Sequence, residues 1–458
     1  MNRQSDITAR HSAVAGRFFP GEADELARIV ADCLSHGTPA AAPPKAIISP
    51  HAGYPFSGRL SGMAWRATET TRPARIAILS PSHQHAFTGI ALPSQDRYAM
   101  PGFDLPLDTA ARDLLISRGL AHVENAAHDR EHGVETQLPF QHQVHPDTPV
   151  IPLVIGRAPD EQVAAAIDAL AAIGDTLFVL SSDLSHFRTL PDARDHDATT
   201  ARLIETAKPR DLTGAHACGA AAIRGFLLSD HGQGSRLLRL ALANSAAVTK
   251  DETRTVGYGA WALFGVTDAI LLPDHRTALL KAARQSLTSR ITKGKPPHLD
   301  TDSFAQPLRS HAAAFVTLQK DGQLRGCIGS LTAHQPLIAD VIENTGKSAT
   351  EDPRFPPLTA EELDRITLKI AVLSPSEPMP VTDEPDLLAR LRPGRDGLIL
   401  SDKGRRGVFL PMVWDSLPEP EAFLTALKQK AGLPRDHWSD TLQIRRFCAE
   451  SFAEADYS

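Results

Sequence analysis

Four short, unbroken apolar runs, at residues 45–49, 75–80, 150–155 and 176–181, set the main constraint on this chain. Each is too short and too uniformly apolar to be an amphipathic helix, and isoleucine and valine favour strands. Helical patterns lie between them, at residues 22–35, 109–118 and 160–173. In the last of these, Val163, Ala166, Ile167, Leu170 and Ile173 share one face of a period of about 3.6 residues. Strands apolar on both faces and separated by helices predict an α/β fold, with a mixed or parallel sheet flanked by helices. A strand over 256–265 closes this half, and residues 138–140 read as one more short strand.

The second half follows another pattern. Residues 314–319 and 324–329 flank Lys320-Asp321-Gly322, a hairpin signal in which Asp-Gly supplies the positive-φ turn. Residues 398–410 read as a second hairpin, 366–373 as a half-buried strand, and 277–287, 336–349 and 421–431 as helices. Gly432 suits the position that ends the last helix. Hairpins with a few helices predict a small α+β domain. At 458 residues the chain is long enough for two or three domains. The expected division is a first domain over 1–266, a linker over 267–276 and a second domain over 277–458.

Composition narrows the function classes. Lys+Arg 48 against Asp+Glu 54 gives a net charge of -6, which argues against electrostatic nucleic-acid binding. No run approaches the roughly 18 apolar residues of a membrane span. Cys33, Cys218, Cys327 and Cys448 lie far apart without a Cys-x-x-Cys pair, so a reducing cytoplasm is expected.

Histidine carries the chemistry. Of the 19, fourteen fall in the first 265 residues. Three follow strand ends: His51 in Pro50-His51-Ala52-Gly53-Tyr54, His83 in Pro81-Ser82-His83, and His186 in Ser182-Asp183-Leu184-Ser185-His186. Ligands of α/β sheets gather at the carboxyl ends of strands. Parallel strands would therefore aim His51, His83 and His186 at one point, a set suited to iron, zinc or copper with positions left open. A single such histidine is more often a hydrogen-bonded turn residue; three at matching strand ends favour a shared site. Asp183 reads as a ligand, an acceptor behind a ligand or a turn former. In His128-Asp129-Arg130-Glu131-His132-Gly133-Val134-Glu135, either a solvated loop or a supporting layer is expected. In the latter, Glu131 or Glu135 orients an imidazole and His132 moves a proton. Cys218 reads chiefly as a buried small hydrophobe, with a reactive thiol as the lesser reading. In the second half, Arg325 and Arg354 suggest either an anion fork or two rigid structural turns, with Arg354 pairing a carboxylate such as Glu361 or Glu362. Burial is expected for Cys327.

These strings carry a resemblance. Pro50-His51-Ala52-Gly53-Tyr54, Pro81-Ser82-His83, Glu131-His132, Glu135 to Phe140, Ser181 to His186 and Cys218-Gly219 together resemble the Memo family over about residues 11–265. Its fold is similar to that of LigB-type extradiol dioxygenases, which use non-haem iron. The resemblance implies that His51, His83 and His186 match the pocket histidines. It further implies a metal-dependent redox enzyme, with His186, Asp183 and His132 as catalytic candidates. The second half, with Leu324-Arg325-Gly326-Cys327-Ile328-Gly329, Asp352-Pro353-Arg354-Phe355-Pro356-Pro357 and Lys430-Ala431-Gly432-Leu433, resembles the AMMECR domain. The two families occur with a radical-SAM protein in the AmmeMemoRadiSam system, which implies such a partner. Iron is the expected metal, with zinc or copper next. A binding or adaptor protein holding a peptide or small ligand, and a zinc hydrolase, are the alternatives. The chain departs from the Memo pattern before Val256, where members often carry an Asp or Cys and this sequence reads Asn244 to Thr249. Gly133 stands where a serine is usual.

Overall fold

The four apolar runs become neighbouring strands because only a sheet covered on both sides buries both of their faces. In the computed structural model, which describes residues 9–297 and 300–457, they are Ala46–Ser49, Arg75–Pro81, Val150–Ile155 and Thr176–Ser181. They form the middle of a nine-stranded sheet among the described residues. Thr176–Ser181 pairs in parallel with Ala46–Ser49 on one side and Arg75–Pro81 on the other, and Arg75–Pro81 pairs in parallel with Val150–Ile155. Thr255–Phe264 adds antiparallel to Ala46–Ser49, so the sheet is mixed. The core lies on both faces: Ala46, Ile48, Leu79, Phe178 and Leu180 pack on one, and Ile47, Ile76, Ile78, Leu177 and Val179 on the other.

The chain divides into two units, 1–233 with 237–264, and 234–236 with 265–458. The helix that opens the second unit runs Pro273–Lys293, beginning inside the segment expected as a linker. A correction concerns residues 138–140. They are not a strand but the start of the helix Leu138–Val144, entered from a 3₁₀ turn at Glu135–Gln137. Pro139 lacks the N–H a ladder would need, yet fits the first turn of a helix.

The second unit holds two four-stranded sheets. One orders Gln323–Gly329, Ala313–Lys320, Ile366–Leu373 and Ala449–Ala453; the other orders Glu377–Pro378, Gln443–Phe447, Gly397–Asp402 and Arg405–Phe409. Both expected hairpins are present. Asp321 and Gly322 turn the first with φ of 53° and 81°, and Lys403 and Gly404 the second with 47° and 79°. Among the described residues no helix is long and apolar enough to cross a membrane.

Candidate metal centre

The parallel strands deliver their chain ends to one edge, and the site is assembled there. Ser49 lies in register with Ser181, so the loop carrying His51 leaves the sheet beside the loop carrying Asp183. Asp183 Oδ1 accepts the backbone N–H of His51 at 2.9 Å, tying the two loops together. His83 follows the next strand. Its N–H and its Nδ1 both meet the Glu131 carboxylate, at 2.8 Å each. Glu131 also accepts the N–H of Gly133 at 2.8 Å. The charged loop is thus folded around its own carboxylate, and His132 is carried over the strand ends.

The three rings sit close together. Centroid separations are 4.9 Å for His51–His83, 5.3 Å for His51–His132 and 4.4 Å for His83–His132. Among the described residues, His51, His83 and His132 form the group whose potential ligand atoms all lie within 4.8 Å of one another. The hydrogen bonds fix which nitrogens are free. Ser181 Oγ donates to Gly133 O at 2.6 Å, so it accepts from His51 Nδ1 at 2.9 Å. Nδ1 of His83 is turned to the Glu131 carboxylate. Both rings therefore present Nε2, with Nδ1 anchored behind, the arrangement that orients metal-binding imidazoles.

Burial also fixes the protonation. The ring of His51 is held neutral, its pKa pushed down to about 3 by burial and then by the neighbouring His83. His132 is lowered to about 4 by burial, with His51 and His83 adding to it. Burial opposes ionisation of Glu131, but the His83 ring and two backbone N–H groups overcome it and hold the carboxyl at about 2. The neutral imidazoles of His51 and His132 can accept a divalent metal ion without first losing protons.

His186 does not join this group. Beyond Ser181, Leu184 N–H donates to Gly257 O and the chain enters the edge strand His186–Arg188, paired with Val256 and Thr255. That pairing carries the His186 side chain to an exposed position, with Nδ1 donating to Leu184 O at 2.9 Å. It stays close enough for its charge to be felt at His51 and at Asp183. Asp183 is buried, and burial raises its pKa.

Glu135, the other carboxylate of the charged loop, is an anchor. It is fully buried and takes Arg10 Nη1 at 2.6 Å, the N–H groups of Ala13 and Val14 at 3.0 Å each, and the Ser12 hydroxyl. Cys218 was underweighted by sequence reasoning. Its Sγ lies 3.2 Å from His51 Nε2 and accepts the Asp183 N–H at 3.2 Å, and burial pushes its thiol pKa up to about 12. Its only local signal is the small pair Cys218-Gly219, where a side chain on Gly219 would collide with Ser181 O and Ser182. Gly133 has a similar reason: its β-carbon would run into Ser80 Oγ. Asp251 and Glu252, near the place where the resemblance implies a ligand, are exposed.

In the second unit the arginines pair internally. Arg325 grips Glu362 through Nε at 3.1 Å and Nη2 at 2.9 Å, so Arg354 does not pair Glu361 or Glu362 as expected but grips Asp352, two residues before it, at 2.9 and 2.6 Å. Cys327 is half-buried and receives the Thr317 hydroxyl at 3.2 Å.

Comparison with known proteins follows the same division. The family model described as Memo-like protein matches residues 10–262, and the AMMECR1 model matches 280–452. A protein of Methanothermobacter thermautotrophicus is 40% identical over 192 residues, covering 41% of this chain and 97% of its own length. One from Thermotoga maritima is 37% identical over 175 residues, covering 38% and 95%. Among solved structures, the uncharacterized protein PH0010 of Pyrococcus horikoshii is 33% identical with a TM-score of 0.37, covering 39% of this chain and 90% of that one. Uncharacterized protein JW3007 of Escherichia coli K12 is 14% identical with a TM-score of 0.34, covering 48% and 99%.

Proposed function

Because this chain belongs to the Memo-like family, with an AMMECR1 domain in its second half, we propose that its first unit is a metal-dependent redox enzyme of the non-haem iron type. The observation that supports this most is the convergence of three imidazoles, two of them with Nδ1 already committed to Ser181 and Glu131. His51, His83 and His132 would hold the metal, and Cys218 Sγ stands beside His51 as a further donor. Imidazole sets of this kind suit iron, zinc and copper, and the likeness to extradiol dioxygenases favours iron. When bound, the metal would supply Lewis acidity, a redox couple and open positions for substrate.

The chain's own residues do the rest. Glu131 and Ser181 fix ring orientation and tautomer, which raises ligand basicity. Asp183 positions His51 through its backbone N–H. His186, with Nδ1 held by Leu184 O, keeps Nε2 for proton exchange at the rim of the site. A radical-SAM protein is the proposed partner, and a cytoplasmic setting fits four free cysteines.

Elemental analysis of the full chain purified without added metal tests the reading. A transition metal in near-stoichiometric amount, lost in the His51→Ala/His83→Ala/His132→Ala variant and kept in His186→Ala, is expected. Absence of metal, or metal unchanged in the triple variant, overturns it. Co-purification with a radical-SAM protein tests the partner.

A further inference from the structure

A cavity of about 500 Å³ lies within the first unit, its lining including Cys218 but none of the three clustered histidines. Its size falls in the roughly 300–1,000 Å³ range of small-molecule pockets. Cys218 links it to the cluster: the residue lines the cavity and its Sγ touches His51 Nε2 at 3.2 Å. Phe87, Ile155, Ala221 and Ala222 give the cavity an apolar wall. At its mouth stand His85 and the exposed Arg157. The described residues that line it include no Asp or Glu, and among them Arg157 alone carries a fixed charge. Glu124 lies 3.9 Å from His85 Nε2, and the buried Asp183 carboxylate bears on Cys218 at the other end. The helix Ala220–Leu228 also begins here, with no acidic side chain in its first turn.

From these features we infer that the cavity is the substrate pocket of the histidine site, and that it takes a small organic acid with one carboxylate and an apolar body. The inference rests on the proposed metal site for its catalytic meaning, but the binding itself does not. The carboxylate pairs with Arg157 at the mouth, because a planar guanidinium matches a carboxylate in a charge-assisted fork. The apolar body lies along Phe87 and Ile155. The far end of the molecule then reaches Cys218, whose Sγ touches His51. A cationic ligand would meet Arg157 without a compensating carboxylate.

Calorimetric titration of the full chain with hexanoate, hexanamide and inorganic phosphate tests this. Hexanoate should bind at least about tenfold more tightly than the isosteric amide, the value of one charge-assisted contact. Arg157→Gln should erase that difference and leave metal content unchanged; Arg157 is exposed, so the variant has no core to disrupt. Ala221→Phe, checked for folding by thermal melting, should block both ligands. In His51→Ala the hexanoate preference should persist while the metal is lost, which separates failure of the pocket from failure of the metal site. Equal binding of acid and amide, no binding of either, a preference that survives Arg157→Gln, or tighter Arg157-dependent binding of phosphate would each overturn the inference.

Discussion

The two conspicuous polar clusters of this molecule are built on opposite principles. Around His51, His83 and His132, the Nδ1 of His51 and of His83 is committed to the protein, while Nε2 of His51 meets the Cys218 thiol at 3.2 Å and the rings face one another. Around Arg325, Cys327 and Arg354, the groups close on one another: Arg325 on Glu362, Arg354 on Asp352, and the Cys327 N–H on Asp352 at 2.8 Å. The glycines of that second motif are structural in the same sense, since a β-carbon at Gly326 would strike Ser348 O and one at Gly329 would strike Phe315. A dense motif is therefore not in itself a binding site. What distinguishes a site is polar capacity that the fold orients and leaves unspent.

If that distinction holds, breaking a closed group costs stability, and breaking an open one costs ligand. The largest effect is expected at Glu135, whose removal leaves buried Arg10, still bonded to the His128 and Glu131 carbonyls, without the carboxylate that balances its charge. Glu135→Ala should lower unfolding free energy by about 3–5 kcal/mol in urea titration of the full chain. Next come two buried histidines outside the metal group. His128 and His145 are each lowered to about 4 by burial. Their neutral forms are favoured in the folded state, so the stability they contribute is present above about pH 6.5 and lost as pH falls towards 4. The loss is no more than about 3 kcal/mol for each group. His145→Gln should flatten that part of a stability-against-pH profile.

Glu131→Gln should act on the open side. Metal affinity should fall by about 10–100-fold, with competition against a chelator as the readout, because the carboxylate orients His83 rather than closing a core. The smallest effect belongs to the second unit. The Arg354 side chain is 53% exposed although Asp352 beneath it is buried, so Arg354→Ala should cost only about 1 kcal/mol and leave metal content untouched. A large loss of metal in that variant would break the contrast between the two clusters.

Much of this was legible in the sequence. The four apolar runs announced the sheet because strands buried on both faces cannot tolerate polar interruption. His51 and His83 were legible because each lies two residues beyond a strand end and parallel strands deliver their ends to one edge. His186 also follows a strand of this sheet, five residues beyond its end at Ser181. It stays out of the group because the chain after Thr176–Ser181 is captured by Thr255–Phe264 and drawn out along the sheet edge. His132 lies in a loop without periodicity. Its place depends on Glu131 taking two donors from His83, far off in sequence, besides the neighbouring Gly133 N–H, and no local pattern encodes the former.

The sequence by itself determined the class of each half, the strands of the first sheet, and the kind of chemistry that neutral imidazoles and carboxylates perform. Those follow from local patterning, which is a property of neighbouring residues. Tertiary structure alone decided which three histidines meet, that Glu131 faces a ring while Glu135 anchors the amino-terminal segment, and that Cys218 joins His51 to the cavity. Such choices turn on hydrogen bonds between residues scores of positions apart, and these exist only once the strands have paired.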